Sequence, residues 1–114
     1  MKSYKRSERV AELIQQELAM LILRKKDNPL FAGVTITHLR MSSDLSHAKV
    51  FVTVLDKEKI PETIEALNEA ANFFQRMLFK KVSMRGVPKL YFVYDESIMR
   101  AEKLSALIDQ ATKE

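Results

Sequence analysis

Apolar residues recur along this chain with two different periods, and the switches between them mark out its elements. From about Tyr4 to Lys26, Val10, Ile14, Leu18 and Leu21 fall at helical spacing, with Leu13 and Ile22 widening the stripe and Glu12, Gln15 and Gln16 off it. Asp27-Asn28-Pro29 ends that helix, because the residue before a proline is pushed out of the α region. After Gly33 the period becomes two: Val34 and Ile36 share one face against Thr35 and Thr37, as in a strand. Near His38 the alternation slips, so that Leu39 and Met41 fall on the opposite parity, which predicts a bulge. The polar run Met41 to Ser46 predicts a tight connection, and Val50, Val52 and Val54 then mark a second strand over roughly Ala48 to Leu55. The pair reads as a hairpin.

Asp56-Lys57-Glu58-Lys59 is the next turn, and Pro61 suits a first helical position, where its missing N–H is not needed. Ile64, Leu67, Ala71, Phe74 and Leu78 form the buried stripe of this second helix, which ends before Gly86 and Pro88. Leu90, Phe92 and Tyr94 alternate with Tyr91 and Val93 in a third strand. Asp95-Glu96-Ser97 then caps a last helix with a stripe of Ile98, Ala101, Leu104 and Ile108. The expected architecture is an α+β domain of order helix, strand, strand, helix, strand, helix, with a three-stranded sheet covered by helices on one face. If the valines and Phe92 point inward, Phe51 and Tyr91 lie on the other face. There they either stack on bases or pack on sheet neighbours.

Composition narrows the function more by exclusion than by assertion. The 114 residues suit one domain with a modest core, and an apolar fraction of 46% with 30% charged residues is that of an ordinary soluble protein. No apolar run approaches the ~20 residues that span a bilayer, and the start of the chain reads as charged helix rather than an apolar signal core. With no cysteine, a reducing cytoplasm is the expected compartment.

His38 and His47 are the only histidines and are a poor beginning for a zinc site, so neither metal nor cofactor is expected. Asp44 and Asp95 are candidates for an acid/base pair, but a Ser-rich turn and a helix cap account for them without catalysis. Two isolated glycines build neither a phosphate loop nor a nucleophile elbow. No enzyme and no small-molecule substrate are expected, and the chain is expected to be monomeric.

The net charge of +4 matters less than its distribution. Arg76, Lys80, Lys81, Arg85 and Lys89 occupy a stretch without a carboxylate; Lys2, Lys5, Arg6 and Arg9 are diluted only by Glu8; Lys25 and Lys26 form a third group. A phosphate backbone is one natural partner for such clusters. A solvated face that keeps the protein soluble is the other reading.

The motifs assembled above resemble those of the ribosome-binding factor A family over nearly the whole chain. Arg6-Ser7-Glu8-Arg9-Val10 is similar to the family's R-x-x-R-V opening, and Asp27-Asn28-Pro29 and Val34-Thr35 follow in place. The stretch from Met41 to Val52 resembles S-x-D-L-x-x-A-x-V-x-V. Arg85 to Phe92 with Asp95-Glu96-Ser97 resembles R-x-x-P-x-L-x-F…D-x-S. The resemblance implies a single type II KH-like domain over residues 1–114. It also implies a function as a factor that binds the immature 30S subunit and 16S rRNA, supports late maturation including 5′-end processing, and matters most in the cold. It implies no catalytic residue, and the G-x-x-G loop of ordinary KH domains is absent from the family and from this chain.

Where the family has an Ala-x-Gly kink in its central helix, this chain has Ala70-Ala71-Asn72. Where the family commonly has an Arg it has Gln75, followed by Arg76, and Ser83 stands at another position often basic. On this reading Arg6, Arg9, Lys25, Lys26, Arg76, Lys80, Lys81 and Arg85 form the footprint on rRNA. The rivals are a protein-interaction module using an amphipathic helix, and a small hydrolase built on Asp44 or Asp95.

Overall fold

The structure is a computed structural model in which residues 2–25, 27–82 and 86–97 are described, residues 2–7 by their backbone alone. Lys26, Arg85 and the expected last helix lie outside the described residues. Helix α1 spans Lys2–Arg24, strand β1 Val34–Met41, strand β2 His47–Val54, helix α2 Ile60–Glu69, helix α3 Ala71–Lys81 and strand β3 Lys89–Tyr94. The expected α+β order is therefore present as far as the end of β3.

The sheet runs β1-β2-β3, with β1 antiparallel to β2 and β3 parallel to it. Ala48, Val50, Val52 and Val54 of β2 and Leu90 and Phe92 of β3 are buried on one face. All of these but Val54 meet Ile14, Leu18, Leu21 and Ile22 of α1, Leu67 of α2, and Phe74 and Leu78 of α3 in a shared core. Burying side chains of this size contributes on the order of 1.5–3 kcal/mol each relative to exposure, which is what holds helices to sheet. Phe74 sits at the centre, its ring 6.0 Å from those of both Phe31 and Phe92 and 5.6 Å from Phe73. Leu13 belongs to the exposed flank of α1 at 45% accessibility rather than to the stripe, because it is turned about one helical step from Ile14.

The slip in β1 is a bulge between Ile36 and His38. It leaves Thr37 unpaired, and its single hydroxyl proton is shared between the Asp95 carboxylate, at the shorter distance, and the Phe51 carbonyl at 3.2 Å, tying the bulge to the chain as it leaves β3. The β1–β2 connection is organised by Asp44, whose Oδ1 accepts from Ser42 Oγ, Ser46 Oγ and the Ser46 N–H. Leu45 takes the turn with φ of 63°, a left-handed value that L side chains adopt at a cost.

Short 3-10 turns complete the frame. In Pro29–Gly33, Asn28 Oδ1 accepts the Leu30 N–H, and Phe31 is carried into the core. Gly33 lets the chain pass close to Leu55, since a Cβ on it would meet the Leu55 Cβ at a tight 3.0 Å. In Lys57–Lys59 the Asp56 side chain accepts from Glu58 and leads the chain into α2, with Pro61 in the first helical turn.

The central helix is broken at Ala70, with φ of −88° and ψ of 0°. Its N–H bonds to Ala66 and Leu67 carbonyls and its own carbonyl starts α3 by accepting from Phe74. These angles belong to the bridge region that ordinary residues adopt. Asn72 lies inside α3 and exposed, so the break draws on no left-handed backbone there.

Candidate nucleic-acid interface

The exposed stripe of α3 follows from its packing. With Phe74 and Leu78 buried, Asn72, Arg76, Phe79 and Lys80 recur at i, i+4, i+7 and i+8 on the outer side, and Lys81 lies exposed beside them. Lys80 and Lys81 are in the last turn, where the partial negative charge of the helix end favours cations. Gln75 points elsewhere: its Nε2 donates to the Val87 carbonyl at 2.9 Å, securing α3 to the segment that enters β3. The position at which the resemblance implies a cation is here a tether, and the neighbouring Arg76 is exposed.

The remaining expected residues separate into different situations. Arg9 is exposed on α1, and Arg6 lies in the first turns of the same helix. Lys25 is engaged within the fold. Its Nζ is 3.2 Å from Asp27 Oδ2 and 4.2 Å from the centre of the Phe73 ring, an ion pair and a cation–π contact that close the end of α1 on α3.

The sheet face away from the helices carries a second group that charge clustering along the sequence does not reveal. Arg40, Lys49 and Tyr91 are register partners across the three strands, and His38, Phe51 and Val93 form the adjacent row. Tyr91 is 61% exposed. Arg40 and Lys49 escape a search for charge runs because each is alone among apolar neighbours. The period-two pattern that buries Leu39 and Val50 is the signal that turns them outward.

The two carboxylates considered for acid/base work are held apart. Asp44 lies in the turn at one end of β2, while Asp95 follows β3 at the other, its N–H donating to Val52 O at 2.8 Å. The length of β3 separates them, about 20 Å at roughly 3.3 Å per residue, which is too far for a cooperating pair. Hydrogen bonds from Ser46 and Ser42 hold the Asp44 carboxyl down at about 2. Ser97, then Thr37 and more weakly His38, lower that of Asp95. Asp95 Oδ1 accepts the Ser97 N–H at 2.9 Å, the bond a helix cap requires. Among the described residues no group of three histidine, cysteine or carboxylate side chains could hold a metal ion, and no helix is long and apolar enough to cross a membrane.

The profile described as ribosome-binding factor A matches residues 6–108. The chain belongs to the ribosome-binding factor A family. It is 46% identical to ribosome-binding factor A of Pseudomonas aeruginosa, over 99% of this chain and 90% of that one. The crystal structure of ribosome-binding factor A from Thermus thermophilus superposes with a TM-score of 0.72 at 26% identity, covering 80% of this chain and 97% of that one. A Thermus thermophilus ribosome-binding factor A model, fitted into a cryo-EM map of its complex with the 30S subunit, matches with a TM-score of 0.65 at 25% identity, covering 77% and 93%. In this member of the ribosome-binding factor A family, then, cations gather on the open sheet face and on the outward stripe of α3.

Proposed function

We propose that this chain binds the free or immature 30S ribosomal subunit in the cytoplasm. There it contacts 16S rRNA and promotes late maturation, including processing of the rRNA 5′ end, with its greatest importance in the cold. The family match over residues 6–108 carries this reading, and the Thermus thermophilus relative fitted into a 30S complex supports the partner. Arg76, Lys80 and Lys81 on α3, with Arg6 and Arg9 on α1 and Lys26 and Arg85, supply phosphate contacts that position the protein, while RNA shape supplies selectivity. The protein acts by binding and catalyses no step. Sedimentation of cell lysate through a sucrose gradient tests it. The chain is expected with free 30S subunits, and migration with a protein complex elsewhere in the gradient would overturn the assignment.

A further inference from the structure

The open face of the sheet has a charge arrangement that the fold itself does not explain. β1, β2 and β3 contain no aspartate or glutamate, yet they carry Arg40, Lys49 and Lys89, all exposed. Arg40 and Lys49 stand directly opposite each other in the antiparallel register. Like charges directly across a pair of strands destabilise a sheet. Among the described residues no carboxylate forms an ion pair with any of these three cations. Both Arg40 and Lys49 instead lie against Phe51, 5.8 and 5.6 Å from its ring centre, with the His38 ring at 5.8 Å. Phe51 is thereby flanked by two cations, and Tyr91, next to Lys49 in the register, is largely exposed.

A sheet face offering an exposed aromatic ring, flanked by cations that meet no carboxylate among the described residues, has the chemistry that single-stranded RNA recognises. Unpaired bases stack on the ring and the backbone phosphates neutralise the cations. An RNA duplex keeps its bases stacked within the helix and cannot use the ring in this way. The core of a protein interface is depleted of lysine, which fits this face less well. We propose that the open sheet face is a second RNA-contact surface, taking a short single-stranded segment with a base stacked on Tyr91 and phosphates against Arg40, Lys49 and Lys89. The inference rests on the RNA-binding reading above and adds to it a separate surface and the strandedness of its ligand.

The test uses the full chain and two fluorescein-labelled probes, a twelve-nucleotide oligouridine and a twelve-base-pair RNA duplex, with fluorescence anisotropy as readout. Tyr91→Ala is expected to weaken oligouridine binding by about fivefold or more, the lower end of the effect of removing one stacking ring. Duplex binding should change by less than about twofold, and Tyr91→Phe, which keeps the ring, should retain wild-type affinity. Arg40→Ala with Lys49→Ala should flatten the salt dependence for oligouridine by about 1.4 logarithmic units per unit, as expected when two phosphates of a single strand are no longer neutralised. Thermal melting of each variant establishes that it folds.

The proposal is overturned if Tyr91→Ala leaves oligouridine binding unchanged or lowers duplex binding equally. It is also overturned if Tyr91→Ala weakens co-sedimentation with 30S subunits without affecting oligouridine, since the face would then be docking protein. A wild-type chain that binds neither probe nor subunits would remove the RNA-binding reading as well. One that binds duplex and subunits but is insensitive to Tyr91→Ala removes this surface alone.

Discussion

The side-chain amide of Asn68 in α2 holds both backbone polar groups of Phe92 in β3. Nδ2 donates to the Phe92 carbonyl at 2.9 Å, and Oδ1 accepts the Phe92 N–H at 2.8 Å. Among the described residues these groups lie on the edge of β3 that has no strand neighbour. One side chain therefore does for that edge what a fourth strand would otherwise do. Asn68→Ala removes both bonds and leaves part-buried donors and acceptors unpaired. The expected cost is roughly 2 kcal/mol, read from urea unfolding midpoints, with loss of hydrogen-exchange protection at the Phe92 amide. Asn68→Asp keeps the acceptor but sets an oxygen against the Phe92 carbonyl, and should be no better than alanine.

Phe74 is fully buried and packs its ring against those of Phe31, Phe73 and Phe92. Phe74→Ala leaves a cavity where α3, the 3-10 turn and β3 meet. The expected loss is about 3–5 kcal/mol, enough to unfold much of the population of a small domain on warming. Scanning calorimetry checks it.

The α3 stripe and Lys25 should behave differently towards salt. Arg76→Ala, Lys80→Ala and Lys81→Ala combined should weaken 30S binding and flatten its logarithmic salt dependence, by nearly one unit for each phosphate left without its cation. Lys25→Met should leave that slope close to wild type and instead lower thermal stability, because its ammonium already serves Asp27 and Phe73. Equal flattening by both sets would show that Lys25 leaves its intramolecular partners on binding.

Acid should reveal the turn carboxylate. The folded-state value of Asp44 is about 2, below the 3.8 of an unperturbed aspartate. Its contribution to stability is therefore present above about pH 4 and is lost as pH falls through 2. Asp44→Asn should be less stable than wild type at neutral pH, and the gap should close between about pH 4 and pH 2. Asp95, also lowered, should show the same sign in Asp95→Asn. Urea midpoints across this range measure both.

Much of the frame was legible because it depends on local periodicity. The alternation of Val50, Val52 and Val54 fixed which face of β2 is buried, and the slip between Ile36 and Leu39 announced the bulge that the register shows. What escaped depends on groups far apart in sequence. Phe31 enters the core only because a 3-10 turn carries it there. The bonds made by Asn68 and Gln75 exist only once β3 and its approach are laid beside α2 and α3. For the candidate interface, clustering along the chain found the α3 cations. It also picked out Lys25, whose contacts with Asp27 and Phe73 appear only in the fold, and it passed over Arg40 and Lys49, which only strand pairing brings together.

The break at Ala70 has a consequence for the order in which the molecule assembles. It divides the central helix into segments of 10 and 11 residues, each shorter than the ~12–15 residues at which isolated helices become even marginal in water. Neither half persists without the sheet beneath it, and β3 cannot pair in parallel with β2 until both halves have folded back across it. The β1–β2 hairpin, closed by a short turn, carries no comparable loop-entropy cost and should form first. Substitutions in the hairpin should therefore slow folding, whereas those at Asn68 and in β3 should chiefly hasten unfolding.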